Sequence, residues 1–179
     1  MKTYKFLDES KLFVDDSMCR GCFLERADNL PIELTPIWMN DFFVIRQDAE
    51  CPVPGFFIVS TRQHIHTIGD LPIERASELG VIINRLRDIM SKDLGIKRIH
   101  VFLEERLIEP HLHIWMLPLW PNKMKEYQID PKIWNSNIYN YIMLFSYEEN
   151  KDDIIHINQI MRQKLANDSF LLQLINKNE

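Results

Sequence analysis

The sequence predicts an α+β domain: a strongly bent antiparallel sheet of about five strands, one long helix packed across it, and a helical extension after it. Three observations predict this. Short β-branched and aromatic runs separated by turn residues fill residues 10–70, which reads as strands. A single stretch of helical period follows at 72–93. Two more strand-like runs come next, and the texture from 122 to 179 then turns helical.

Each element has its own signature. Asp41-Phe-Phe-Val-Ile-Arg-Gln47 and Gly55-Phe-Phe-Ile-Val-Ser-Thr61 flank Asp48-Ala-Glu-Cys-Pro-Val-Pro-Gly55, whose two prolines and glycine predict a hairpin connection. In 72–93, Ile73, Ala76, Leu79, Ile82, Ile83, Leu86, Ile89 and Met90 recur at three- and four-residue steps with charges between them. Pro72 suits the first turn, Asp70 is a nearby cap, and Gly95 closes the helix. Strand character returns at 98–103 and at 111–117, where Pro118 and Pro121 end it. In the tail, Trp134, Ile138, Ile142 and Phe145 form one helical series, and Ile154, Ile157, Ile160, Met161 and Leu165 form another. The polar cluster Asn150–Asp153 is expected to separate them. The division is thus a sheet domain over 1–120 and an extension over 121–179 packed on it, since about 58 residues scarcely bury a core of their own.

Composition excludes several classes. Lys+Arg 21 against Asp+Glu 26 gives a net charge of -5, so a general binder of extended nucleic acid is not expected. No apolar run approaches the roughly 20 residues of a membrane span. MKTYKFLDESKLF has no apolar core between its charges, so an export signal is not expected and the protein is read as cytoplasmic.

The chemistry concentrates in three Cys and six His. Two His-x-His pairs occur, His64-Ile-His66 and His111-Leu-His113, where chance allows about 0.2. Cys19 and Cys22 are spaced as half of a tetrahedral zinc site, needing two more N or S ligands, for which the histidines are the plentiful candidates. Plain buried thiols are the simpler alternative. A redox pair fits less well, because the motif does not lead straight into a clear helix of a βαβ unit. On a strand, His111 and His113 share a face with Trp115 while Leu112, Ile114 and Met116 point into the core. Their separation of about 6.6–6.8 Å suits one metal ligand and one neighbour free for chemistry. A catalytic zinc held by His64, His66, His111 and His113 stays open as a further reading.

His111-Leu-His-Ile-Trp-Met-Leu-Pro118 resembles the signature of the histidine-triad (HIT) superfamily of nucleotidyl hydrolases and transferases. Upstream, Asp48-Ala-Glu-Cys-Pro-Val-Pro-Gly-Phe-Phe-Ile-Val-Ser-Thr-Arg-Gln-His64 is similar to that family's Pro-rich hairpin, and His64-Ile-His-Thr-Ile-Gly-Asp-Leu71 to the segment before its long helix. The likeness spans about residues 17–118 in the family's order. It implies a HIT-like fold and a structural Zn2+ on Cys19, Cys22, His64 and His111. It also implies that His113 is the nucleophile that forms a nucleotidyl-histidine intermediate, and that Asp48 contacts the ribose. Trp115 and Arg106 are the further substrate-binding candidates. The implied partner is a small nucleotide substrate of dinucleoside polyphosphate or nucleoside phosphoramidate type, and the implied assembly is a homodimer.

Two departures stand out. Trp115 occupies the third triad position, where the galactose-1-phosphate uridylyltransferase branch also lacks a histidine. Glu104, Glu105 and Glu109 lie where family members place phosphate-binding polar residues. The alternative they suggest is a catalytically weak or inactive relative that binds nucleotide or a protein partner.

Overall fold

The computed structural model describes residues 2–7, 11–14, 17–129 and 134–176. A short hairpin, β1 (Lys2–Lys5) and β2 (Lys11–Val14), stands apart from the main sheet. Helix α1 (Arg20–Arg26) follows the first of the paired cysteines. The sheet is built from β3 (Trp38–Met39), β4 (Phe43–Gln47), β5 (Phe57–Thr61), β6 (Ile99–Leu103) and β7 (His113–Pro118). Its order is β3-β4-β5-β7-β6, antiparallel throughout. The expected α+β class and five-stranded sheet are therefore present.

The predicted hairpin is β4–β5, and Gly55 in its turn has φ 77°, a left-handed conformation that costs other residues strain. The 3.6-period stretch is α2 (Ile73–Lys92), with Pro72 at its N-cap position and Gly95 at φ 67° beyond its end. Asp70 caps the turn before the helix instead: its carboxylate accepts from the backbone N–H of Thr67 at 3.0 Å.

Helices α3 (Pro121–Glu126), α4 (Trp134–Ile142), α5 (Tyr147–Ala166) and α6 (Ser169–Asn176) complete the chain. Of the tail's periodic apolar positions, the Trp134 side chain lies outside the described residues. The helices break at Met143–Ser146 rather than at Asn150–Asp153. The polar run sits inside α5 because only its Asn150 is buried, and that side chain donates to the Ser146 carbonyl at 2.7 Å.

Both faces of the sheet are covered. Phe57, Val59, Ile114 and Met116 meet Ile82, Leu86 and Met90 of α2 on one face, where Ile157, Met161 and Leu165 of α5 join the same core. On the other face, Val53, Phe56 and Leu117 meet Ile138, Tyr141, Ile142 and Phe145 around α4. Tyr141 fixes that helix, donating its hydroxyl to the Pro118 carbonyl at 2.8 Å and accepting from the Trp120 backbone N–H at 2.8 Å. Among the described residues, no helix is long and apolar enough to cross a membrane.

Candidate functional site

Cys19 ends the irregular segment before α1, and its sulfur caps that helix by accepting the Cys22 backbone N–H at 3.4 Å. The pair thus opens a short helix, which belongs to no βαβ unit because the main sheet is antiparallel throughout. One helical turn brings the Cys22 sulfur round beside that of Cys19. His64 comes from the segment after β5, and His111 lies just ahead of β7. All four residues converge, with one ligand atom from each lying within 4.8 Å of every other.

The spacing fits a closed tetrahedral site. Ligand bonds of about 2.3 Å to sulfur and 2.0–2.1 Å to nitrogen place sulfur and nitrogen about 3.5 Å apart and two nitrogens about 3.4 Å apart. Cys19 Sγ lies 3.4 Å from His64 Nδ1 and 3.2 Å from His111 Nδ1. Cys22 Sγ lies 3.4 and 3.8 Å from the same two nitrogens, which are 3.5 Å from each other. His111 is oriented from behind, since its Nε2–H donates to the Thr61 carbonyl at 2.8 Å and leaves Nδ1 a lone pair. Burial raises the Cys19 thiol, but its contact with His111 and the Cys22 backbone N–H outweigh that and bring the thiol to about 6. Burial and the neighbouring Cys19 push Cys22 up to about 11. The thiolate is the form that binds metal, and zinc binding at this site would release the thiol protons.

Gly21 between the two cysteines has a steric reason. A Cβ there would lie 2.6 Å from His111 Cγ and Nδ1, so the imidazole packs flat against bare backbone.

His113 begins β7 and pairs across the sheet with Ser60, while Trp115 pairs with Ile58. The two share a face with ring centroids 6.4 Å apart, whereas Leu112, Ile114 and Met116 are buried on the other side. Its Nδ1–H donates to the His111 carbonyl at 2.6 Å, which fixes the tautomer and leaves the Nε2 lone pair free. Burial holds its pKa below the usual imidazole value, and the His111 carbonyl opposes this only in part. The shift favours the uncharged form of the ring.

His113 opens into a cleft of about 380 Å³. Asp48, Trp115 and Arg106 line the same cleft, so the sequence candidates outside the cysteine cluster come together. His111 also reaches the cleft, and the other three metal candidates stand beyond it. Asp48 Oδ1 accepts the backbone N–H groups of Glu50 and Cys51 at 2.9 and 2.7 Å. Burial raises its pKa against those two bonds. Arg106 Nε donates to Glu104 at 2.8 Å, and the same carboxylate oxygen stands 3.9 Å from His113 Nε2. Glu105 is turned away to accept the Ile68 N–H at 3.1 Å, and Glu109 accepts from the Tyr4 hydroxyl at 3.0 Å. Of the three carboxylates, Glu104 stands nearest the His113 ring and Glu109 lines the cleft, while Glu105 is turned to Ile68.

Sequence reasoning missed part of the cleft. Tyr139, Ile142 and Met143, at the end of α4, line it from the extension. Arg20, the first residue of α1, lines it too; it is ion-paired with Glu50 and lies 4.7 Å from the Tyr4 ring centroid. No local pattern announces such long-range contacts. The apolar period of α4 was the one available signal.

No family model matches the chain, and no curated protein matches it in sequence. Solved structures do match it in fold. It is similar to a zinc-bound histidine triad family protein from Mycobacterium smegmatis, at TM-score 0.54 and 16% identity over 90% of this chain and 97% of that one. A hypothetical histidine triad nucleotide-binding protein from Sulfolobus tokodaii gives TM-score 0.57 and 15% identity over 83% and 93%. A HIT-like protein involved in cell-cycle regulation from Bartonella henselae gives 0.55 and 14% over 83% and 98%. The chain has the histidine-triad fold.

Proposed function

We propose that the protein is a nucleotidyl hydrolase or transferase acting at the α-phosphorus of a small nucleotide through His113, with a structural zinc on Cys19, Cys22, His64 and His111. The observation that carries the reading is His113 itself: a half-buried imidazole whose Nδ1–H is tied to the His111 carbonyl, so that Nε2 is left free in the cleft. The zinc would supply a cross-link among α1, the segment after β5 and the start of β7, holding the strand that carries His113.

The chemistry divides into two displacements. The Nε2 lone pair attacks phosphorus, the P–N bond forms, and the bond to the leaving group breaks with its electron pair. Trp115 has an N–H donor but no titratable proton, so the departing group takes its proton from water. A water oxygen, or another acceptor hydroxyl, then attacks phosphorus. The P–N bond breaks, its pair returns to Nε2, and the attacking group loses its proton to solvent. Asp48 and Arg106, which line the same cleft, would hold ribose and phosphate.

His113→Ala is the test. Turnover of nucleoside phosphoramidates and dinucleoside polyphosphates should fall by at least about a thousandfold, with zinc content unchanged. Equal turnover in the variant would refute the assignment. Tight nucleotide binding without turnover in the wild type would favour the non-catalytic relative, the reading that Trp115 and Glu104 support.

A further inference from the structure

The end of α4 shapes the cleft in a way the catalytic reading leaves unused. The buried face of this helix, Ile138, Tyr141 and Ile142, is locked into the second core. Tyr139 and Met143 are left 69% and 81% exposed, and both line the cleft that holds His113. Trp115 and Ile58 face the same space from the sheet. Large apolar side chains so exposed at one end of a reactive cleft form a ready contact for an apolar ligand group.

The charges point the same way. Each arginine lining the cleft already has a carboxylate: Arg20 with Glu50, Arg46 with Glu25 at 2.7 Å, and Arg106 with Glu104 at 2.8 Å. Asp48 and Glu109 add further carboxylates. A long polyphosphate would bring several negative charges to cations that are already neutralised. Affinity here has to come from surface burial more than from charge.

We infer that Tyr139 and Met143 determine specificity, closing with Trp115 over an aromatic or apolar group of a substrate that carries a single phosphoryl charge. The inference rests on the nucleotide reading of the cleft. The aromatic group has two possible sources, the nucleobase or the leaving group, and both offer the same flat apolar surface.

Binding separates this from catalysis. Two probes are titrated calorimetrically into the His113→Ala protein: adenosine 5′-phosphoramidates of methylamine and of tryptamine. The same titrations are repeated with Tyr139→Ala/Met143→Ala added. Both side chains are largely exposed, so zinc content and melting temperature should stay unchanged. Removing them should weaken at least one probe by about tenfold, the scale expected for losing one well-covered apolar contact. Loss confined to the tryptamine probe assigns the wall to the leaving group, and equal loss for both assigns it to the base. Unchanged affinity for both probes, or no binding of either by the parent protein, would overturn the inference. Failure of the catalytic reading shows elsewhere, as turnover that survives His113→Ala.

Discussion

Gly21→Ala separates the zinc-site geometry from ordinary helix energetics, because the two predict opposite signs. In a helix interior alanine is favoured over glycine by roughly 0.5–1 kcal/mol, so propensity alone predicts a more stable protein. The new Cβ, however, would stand 2.6 Å from His111 Cγ and Nδ1 and 2.7 Å from Cε1. Ordinary contact needs 3.4–4 Å, so the ring or the helix must retreat by about 1 Å. Zinc ligand distances tolerate about 0.2 Å. Moving Nδ1 so far should weaken zinc by at least the roughly 10–100-fold that disturbing an outer-sphere partner costs, or about 1.4–2.8 kcal/mol. Subtracting the helical gain leaves a net loss of about 0.4–2.3 kcal/mol, a fall in Tm of about 1–9 °C for a chain of this size. Zinc affinity by competition with a chromophoric chelator, together with melting curves with and without chelator, would read it. The Tm difference should shrink when the metal is stripped. A variant with full zinc affinity and a higher Tm would refute the packing of α1 on His111.

Three further outcomes are expected. Glu104→Gln removes a half-exposed carboxylate 3.9 Å from His113 Nε2, a repulsion worth about 1 kcal/mol at the water-like limit. KM for phosphate substrates should therefore fall about fivefold, and a rise would contradict the placement of phosphate there. Asp48 has its pKa raised in the fold, so the native state binds more protons than the unfolded one above 3.8. Its ionisation then costs stability as pH rises through that window, so Asp48→Asn should melt higher than wild type at neutral pH. That gap should close as the pH falls through 3.8, and a gap that widens in acid would reverse the sign. Arg162 ties α5 to the β3 side, donating to the carbonyls of Ile32, Thr35 and Pro36 at 2.9, 3.2 and 3.2 Å. Arg162→Ala should cost about 2–3 kcal/mol in chemical denaturation, and a loss below about 0.5 kcal/mol would mean the extension is held elsewhere.

Much of the fold is legible in the sequence where local pattern and packing agree. The period of α2 survives because that helix lays one side on a core, and the short β-branched and aromatic runs of β4, β5 and β7 survive because the sheet is covered on both faces. Helix α1 left no such trace: among its seven residues none is fully buried, and Gly21 interrupts it for the sake of a histidine ninety positions away. The run Asn150–Asp153 reads as a linker because solvated helix faces and linkers share a composition. The cysteine and histidine candidates for a metal could be picked from spacing and resemblance, since a short loop and a strand's two-residue repeat fix local geometry. The α4 wall could not, because it depends on how the extension folds back over β5 and β7. The same holds for the carboxylates. Their position beside the signature raised a conflict that the fold relieves only for Glu105, drawn to the Ile68 N–H, while Glu109 still lines the cleft and Glu104 stays beside His113.

The nucleophilic role of His113 is tested most directly by intact mass after rapid mixing of zinc-loaded protein with an adenosine phosphoramidate, quenched within the first turnovers. The expected spectrum shows the protein plus one adenylyl group, with the adduct mapped by fragmentation to His113, labile in acid and absent from His113→Ala. Steady turnover with no adduct in the wild type, together with retained turnover in His113→Ala, would contradict it.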